Sequence, residues 1–215
     1  LIKQLKAKPI SEEQLAAEVA GIYAGLIMVE DKCIEVDDAQ SLSSPTETKL
    51  HNQQWQALIA LHRTLLHEYY DFLLASQHPS ASPGLRRMAS EYHMPTRIWC
   101  RGIHPLLELL RRRLPESEEH MLTYIFLAYN IMTLLYETVP AFQDTWVKYL
   151  DNLARYRMAI EDDCLEMEVW TSVSRDWYFR ASDKALTTGG PYHHLAIVTT
   201  HNNASQRLFN YSKSI

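Results

Sequence analysis

The chain has 215 residues, 47% hydrophobic and 22% charged, with 21 Lys+Arg against 26 Asp+Glu and a formal net charge of −5. This length can bury a sizeable core, and the composition excludes disorder and collagen-like structure. The acidic balance weighs against a stand-alone nucleic-acid binder, which needs a basic excess to displace counterions from phosphates. No apolar run approaches the roughly 20 residues of a membrane-spanning helix, so a soluble chain with no membrane partner is expected. Cys33, Cys100 and Cys164 are far apart and form no Cys-x-x-Cys pair. They point to neither a disulfide framework nor a zinc site and favour a reducing compartment, nucleus or cytoplasm. A chain that opens on Leu1 and ends on Ile215 within an expected helix reads as one domain, residues 1–215, of a longer protein.

Only six glycines leave few tight turns, and the apolar periodicity is helical throughout. Ser11 followed by Gln14 predicts a capping box. Leu15, Val19, Ile22, Leu26, Val29 and Cys33 then form a stripe on a helix from about Ser11 to Asp37. A second helix is predicted from about His51 to Ser76, with Trp55, Leu58, His62, Leu65, Tyr69 and Phe72 on one face, and a short one over Leu85 to Tyr92. Pro95 suits a first turn, and Pro105 predicts a kink in the helix carrying Ile98, Trp99, Ile103, Leu106, Leu107 and Leu110. From Glu118 to Val139, apolar residues including Met121, Leu122, Ile125, Phe126, Leu127, Tyr129, Ile131, Met132, Leu134 and Leu135 cover nearly the whole circumference. That pattern predicts a central buried helix. Pro140 opens the next, and further helices are expected at about Leu165 to Lys184, Tyr192 to Thr199 and Ala204 to Ile215. The expected fold is an all-α antiparallel array of eight or nine helices.

The last quarter partly fits the repeat of about 34 residues that marks tetratricopeptide helix pairs. Tyr178 and Ala181 take the aromatic and small positions, Thr187-Thr188-Gly189 the turn, and Tyr192, Leu195 and Ala196 the opening of the next repeat. A set of dispersed motifs runs in parallel. These are Trp99-x-x-x-Ile103-His104-x-x-Leu107, Leu150-x-x-Leu153-Ala154-Arg155-Tyr156-Arg157, Trp177-Tyr178-x-x-Ala181, Tyr192-His193-x-Leu195-Ala196 and Tyr211-x-Lys213-Ser214. In this order they resemble the Est/Smg proteins, the telomerase-associated Est factors and the Smg factors of nonsense-mediated mRNA decay, including fungal proteins with an Est-type DNA/RNA-binding domain. The resemblance implies a 14-3-3-like helical domain with degenerate tetratricopeptide repeats. It also implies a non-enzymatic adaptor without cofactor or metal, bound to a phosphorylated protein such as an Upf-type helicase, or to a telomerase component.

The same resemblance assigns the phosphate contacts. Leu150-Asp151-Asn152-Leu153-Ala154-Arg155-Tyr156 matches the family's Leu-Gly-Asp-x-x-Arg-Tyr, which places Arg155 and Tyr156 on the phosphate, and His104 stands where relatives carry a second basic residue. Arg101, one turn before His104, supplies a further charge. The chemistry is that of a guanidinium fork gripping a group of about −1.5 to −2 charges.

Other residues support competing readings. Arg86, Arg87, Arg111, Arg112 and Arg113 could contact an RNA or DNA backbone, although cations at a helix end complementing the macrodipole explain them equally. His67-Glu68-x-x-Asp71 lacks the second His of a zinc-protease motif and reads as a solvated face. Glu161-Asp162-Asp163 reads as a solvated turn, with Glu161 or Asp162 a candidate salt-bridge partner for Arg155. His193-His194 flanks a packing position, and Trp170, Val173 and Trp177 read as core. No nucleophile–base pair or phosphate loop marks an enzyme.

Overall fold

Helix starts are set by local hydrogen-bond chemistry. Ser11 Oγ accepts from Gln14 N–H and Gln14 Oε1 accepts in return from Ser11 N–H, both at 3.2 Å. This capping box opens α1, Glu12–Leu42. The His51 N–H donates to Gln54 Oε1 at 2.8 Å at the start of α2, Asn52–Ser76. Ser82 Oγ accepts from Leu85 N–H ahead of α3, Pro83–Glu91, where Pro83 occupies a position that needs no donor. The single turn α4, Met94–Arg97, leads through a π-helical turn, Ile98–Ile103, into α5, His104–Arg112. Then come α6, Glu118–Thr138, a 3-10 turn at Pro140–Phe142, α7, Gln143–Ala159, α8, Cys164–Lys184, and α9, Ala204–Lys213.

This computed structural model describes residues 10–42, 50–161, 164–184 and 204–213. Among the described residues the fold is all-α, with no strand, and no single helix is long and apolar enough to cross a membrane. The helices group into two compact units, Leu1–Leu109 and Leu110–Ile215, and the boundary falls inside α5. The expected helix from Tyr192 to Thr199, the turn Thr187-Thr188-Gly189 and His193-His194 lie outside the described residues.

In the first unit α1 packs on α2, and both meet the π-helical turn. The predicted stripe of α2 is buried at every position, from Trp55 to Phe72. On α1, Leu15, Val19, Leu26 and Cys33 are buried as expected, but Glu30 joins them while Val29 is only partly covered. Ahead of Pro105, where a kink is expected, the helix takes a wider, π-helical turn. The His104 N–H bonds to the Trp99 carbonyl, five residues back, after which α-helical spacing resumes. Pro105 has no N–H for a carbonyl one turn back, and a π-turn takes up that mismatch by lodging an extra residue. Gly102 lies in this turn, where a Cβ would stand only 3.0 Å from Leu66 Cδ2.

In the second unit α7 packs on both α6 and α8. Fully buried Trp146 on α7 donates its Nε1–H to the Val139 carbonyl at 3.0 Å, where α6 ends and the chain turns through 107°. The expectation that α6 is buried all round is corrected. Phe126 is 68% and Leu134 47% exposed. They share a face with exposed Thr123, Asn130 and Glu137 at spacings of three and four, and the core is reached from the opposite side through Met121, Tyr124, Ile125, Ala128, Ile131, Met132 and Leu135.

Two adjacent residues of α6 test that assignment. Ile125→Ala should lower unfolding free energy by about 2–5 kcal/mol, the cost of a cavity in a close-packed core. Phe126→Ser should change it by no more than about 0.5 kcal/mol. Urea titration of both variants checks the contrast.

Candidate functional site

The buried face of α1 carries acid. Leu26, Glu30, Cys33 and Asp37 continue one stripe, and the two carboxylates on it are met by Arg and His side chains from elsewhere in the first unit. Arg97 at the end of α4 grips Glu30 with a fork. Its Nε donates to Oε1 at 3.4 Å and its Nη2 to Oε2. Arg101 Nε stands 4.0 Å from the same carboxylate. The Tyr69 hydroxyl from α2 lies beside this pair without hydrogen-bond geometry, and burial together with the Glu30 charge pushes it well above the usual phenol range. His62, fully buried on α2, faces Asp37 Oδ1 at 3.2 Å through Nε2 and the Gly102 carbonyl at 2.9 Å through Nδ1. Between the acids, the Cys33 thiol is pushed up from its ordinary 9.0 to about 12 by burial and by the Asp37 and Glu30 charges.

This seam determines what is available on the surface of the first unit. Arg97 is used internally. Arg101 keeps 53% of its side chain exposed despite its approach to Glu30. His104 is also exposed, with its ring 6.3 Å from that of Trp99. Both are thus accessible, and both sit on or directly after the π-helical turn.

The second unit carries the other two expected phosphate contacts, on α7. Arg155 is exposed and Tyr156 partly buried. The salt bridge considered for Arg155 goes instead to its neighbour, since Arg157 pairs with Glu161 and lies with its Cζ 5.8 Å from the centre of the Trp170 ring. Asp162, the other candidate partner, lies outside the described residues. Asp151 is buried, with its Oδ1 accepting from Ser174 Oγ on α8 and its Oδ2 buried without a hydrogen bond. Among the described residues Arg155 forms no ion pair. Sequence reasoning missed its companion. Lys148 and Asn152 stand seven and three positions earlier, which on a helix is the same face, and Lys148 is likewise exposed. The signal was present in the spacing.

The remaining sequence candidates do not gather into one patch. Arg86 turns its Nη2 onto the Pro79 carbonyl at 2.7 Å and the His78 carbonyl at 3.4 Å, where it organises the α2–α3 connection. Arg87 is exposed on α3. Arg111 and Arg112 occupy the last turn of α5, the arrangement a helix macrodipole favours, and Arg113 follows partly buried. His67 points its Nδ1 at the Arg63 carbonyl of its own helix. Trp177 is buried and donates to the Tyr129 hydroxyl at 2.7 Å, while Trp170 and Val173 are partly buried. No protein family, curated protein or solved structure matches the chain.

Two measurements follow from the seam. Glu30→Ala strands a partly buried guanidinium and should cost about 3–5 kcal/mol, whereas Glu30→Met combined with Arg97→Met should cost far less, because both charges leave together. Chemical denaturation of the single and double variants separates the cases. In a Cys164→Ser background, a thiol reagent at pH 8 should modify Cys100, which is exposed, and reach Cys33 only after unfolding. The folded state keeps the Cys33 thiol neutral while the unfolded chain ionises it. That contribution to stability is therefore complete below pH 9.0 and is lost as pH rises toward about 12.

Proposed function

We propose that this chain is a non-enzymatic adaptor of the Est/Smg type, with a 14-3-3-like array of degenerate tetratricopeptide repeats, that binds a phosphorylated protein partner. The observation that carries this reading is the division of labour between two arginines on α7. Arg157 is spent on Glu161 and Trp170, while Arg155, in the motif position that the resemblance assigns to phosphate, stays exposed and forms no ion pair among the described residues. Lys148 lies about 10 Å along the helix axis from Arg155 on the same face, within reach of two long side chains closing on one anion. Asn152 between them adds a neutral donor. A phosphoserine offers about −1.5 to −2 charges and three acceptors to such a pair, and charge-assisted bonds of this kind are the strong ones. The net charge of −5 makes this local basic face a selective feature of an acidic body.

The partner class that fits is a phosphoserine-bearing protein of RNA decay or telomere maintenance, an Upf-type helicase or a telomerase component, in the nucleus or cytoplasm. Tyr156, next to Arg155 on α7, belongs to the same proposal as a supporting contact, and Arg101 and His104 are proposed separately as a basic surface of the first unit. Direct RNA or DNA binding is the competing reading, and it rests on Arg87 and Arg111 to Arg113, since Arg86 is engaged with backbone carbonyls.

Fluorescence anisotropy with matched phosphoserine and serine peptides tests the proposal. The phosphopeptide should bind at least about tenfold more tightly, as expected from one charge-assisted bond of roughly 1.5–3 kcal/mol. Arg155→Glu should abolish that preference and Lys148→Glu should reduce it, while Arg87→Glu and Arg112→Glu should leave it within about twofold. Equal affinity for both peptides, or an unaltered preference in Arg155→Glu, would refute the reading. Tight binding to oligonucleotides with a steep salt dependence would favour the nucleic-acid alternative.

A further inference from the structure

Apart from the surfaces described above, the first unit carries a groove where the opening turns of α1 lie against the closing turns of α2. Its volume is about 590 Å³, within the roughly 300–1,000 Å³ of sites that hold a ligand. Leu15 and Ile22 line it from α1, and Leu74 and Ala75 from α2, so its floor is apolar. Leu74 is 41% exposed and Ile22 only partly covered, which leaves the groove open to solvent. Leu15 and Ile22 lie two helical turns apart, and about 10 Å of axis is the length that two turns of a second helix would cover.

The charge around this floor has one sign. Glu18 enters from α1 and Asp71 from α2, both exposed. Glu68, one turn before Asp71, lies against α1 at Gly25, where an added Cβ would stand 3.4 Å from its Oε2. Among the described residues none of these three carboxylates forms an ion pair. His78 lines the α2 end, its Nδ1 accepting from the Ser80 N–H at 3.1 Å. Arg86, beyond it, is turned onto the His78 and Pro79 carbonyls. An acidic segment laid here would set like charges together, and a purely apolar one would desolvate the carboxylates without giving them partners.

We infer that this groove is a docking site for a basic amphipathic helix of a partner protein, one with leucine-like side chains at three- and four-residue spacing and Lys or Arg on both flanks. The apolar stripe seats between Ile22 and Leu74. Acid on both rims, Glu18 on one and Asp71 with Glu68 on the other, matches cations on both flanks, whereas a single acidic rim would match cations on one. The inference goes beyond the adaptor reading and does not rest on it, because the groove is built by α1 and α2 of the first unit and the α7 contacts belong to the second.

Fluorescence anisotropy of the full chain with two labelled peptides is the test. Both peptides carry leucines at helical spacing over about 14 residues, or four turns. One has lysines between the leucines and the other has glutamates. The lysine peptide should bind saturably, and the glutamate peptide at least about tenfold more weakly. Leu74→Ser should weaken the lysine peptide by about fivefold or more, and Glu18→Lys combined with Asp71→Lys by about as much. Glu137→Lys, the same charge change on the exposed face of α6, should leave it within about twofold, as should Arg155→Glu. Circular dichroism is read on every variant. If Leu74→Ser loses helix, the exchanges at exposed Glu18 and Asp71 decide the matter. Equal binding of the two peptides, or an equal fall in Glu137→Lys, overturns the inference. So does binding that appears only when Lys3→Ser, Lys6→Ser and Lys8→Ser are combined, because the chain's own residues 1–8 carry the same chemistry and would then be the occupant. Groove-dependent binding of the lysine peptide with no preference for phosphoserine peptides would uphold the groove and refute the adaptor reading alone.

Discussion

Glu30 and Asp37 lie on the inward face of one helix, and the arrangement of the first unit follows from how their two charges are met. Desolvating a carboxylate costs several kcal/mol unless a cation and good hydrogen-bond geometry accompany it. Here the partners come from separate elements, the Arg97 guanidinium from the end of α4 and the His62 ring from α2, so meeting the carboxylates also fixes α1 against α2 and the π-helical turn. Apolar packing along Leu15, Val19, Leu26 and the α2 stripe supplies the bulk of the attraction but is tolerant of small slides. The paired charges are not, because a displacement of one residue would leave a carboxylate buried alone.

The same economy of charge shapes the surface. In each unit one arginine is consumed internally and another is left accessible, Arg97 beside Arg101 in the first, Arg157 beside Arg155 in the second. Glu30 and Glu161 select which. Asp151, on α7 with Arg155 and Arg157, is held in the interior by Ser174.

Much of this was legible in the residues. The capping box at Ser11 and Gln14 and the α2 stripe follow from short-range chemistry and a 3.6 period, which leave little choice. Glu30 was harder to place, because a charged residue counts as polar in any pattern, yet it falls in register with Leu26, Cys33 and Asp37. The exposed side of α6 was hidden by Phe126 and Leu134, two large apolar residues on a face whose other members, Thr123, Asn130 and Glu137, are polar. Pro105 announced a missing donor but not its resolution, since a kink and a π-turn answer the same deficit. On α7 the difference between Arg155 and Arg157 depends on Glu161 four positions beyond the latter, and Lys148 on a spacing of seven from the former. Both relations are local and could be read from sequence once the helix is granted. The double acceptor environment of His62 could not, because it brings together residues 25 and 40 positions apart.

The most direct measurement is a side-chain NMR titration that follows each arginine Nε and lysine Nζ signal as a phosphoserine peptide is added. Recognition through α7 predicts that Arg155 and Lys148 shift first and saturate together, while Arg157, already paired, moves little. Leading shifts at Arg87 and Arg112, or a response at Arg157 equal to that at Arg155, would contradict it.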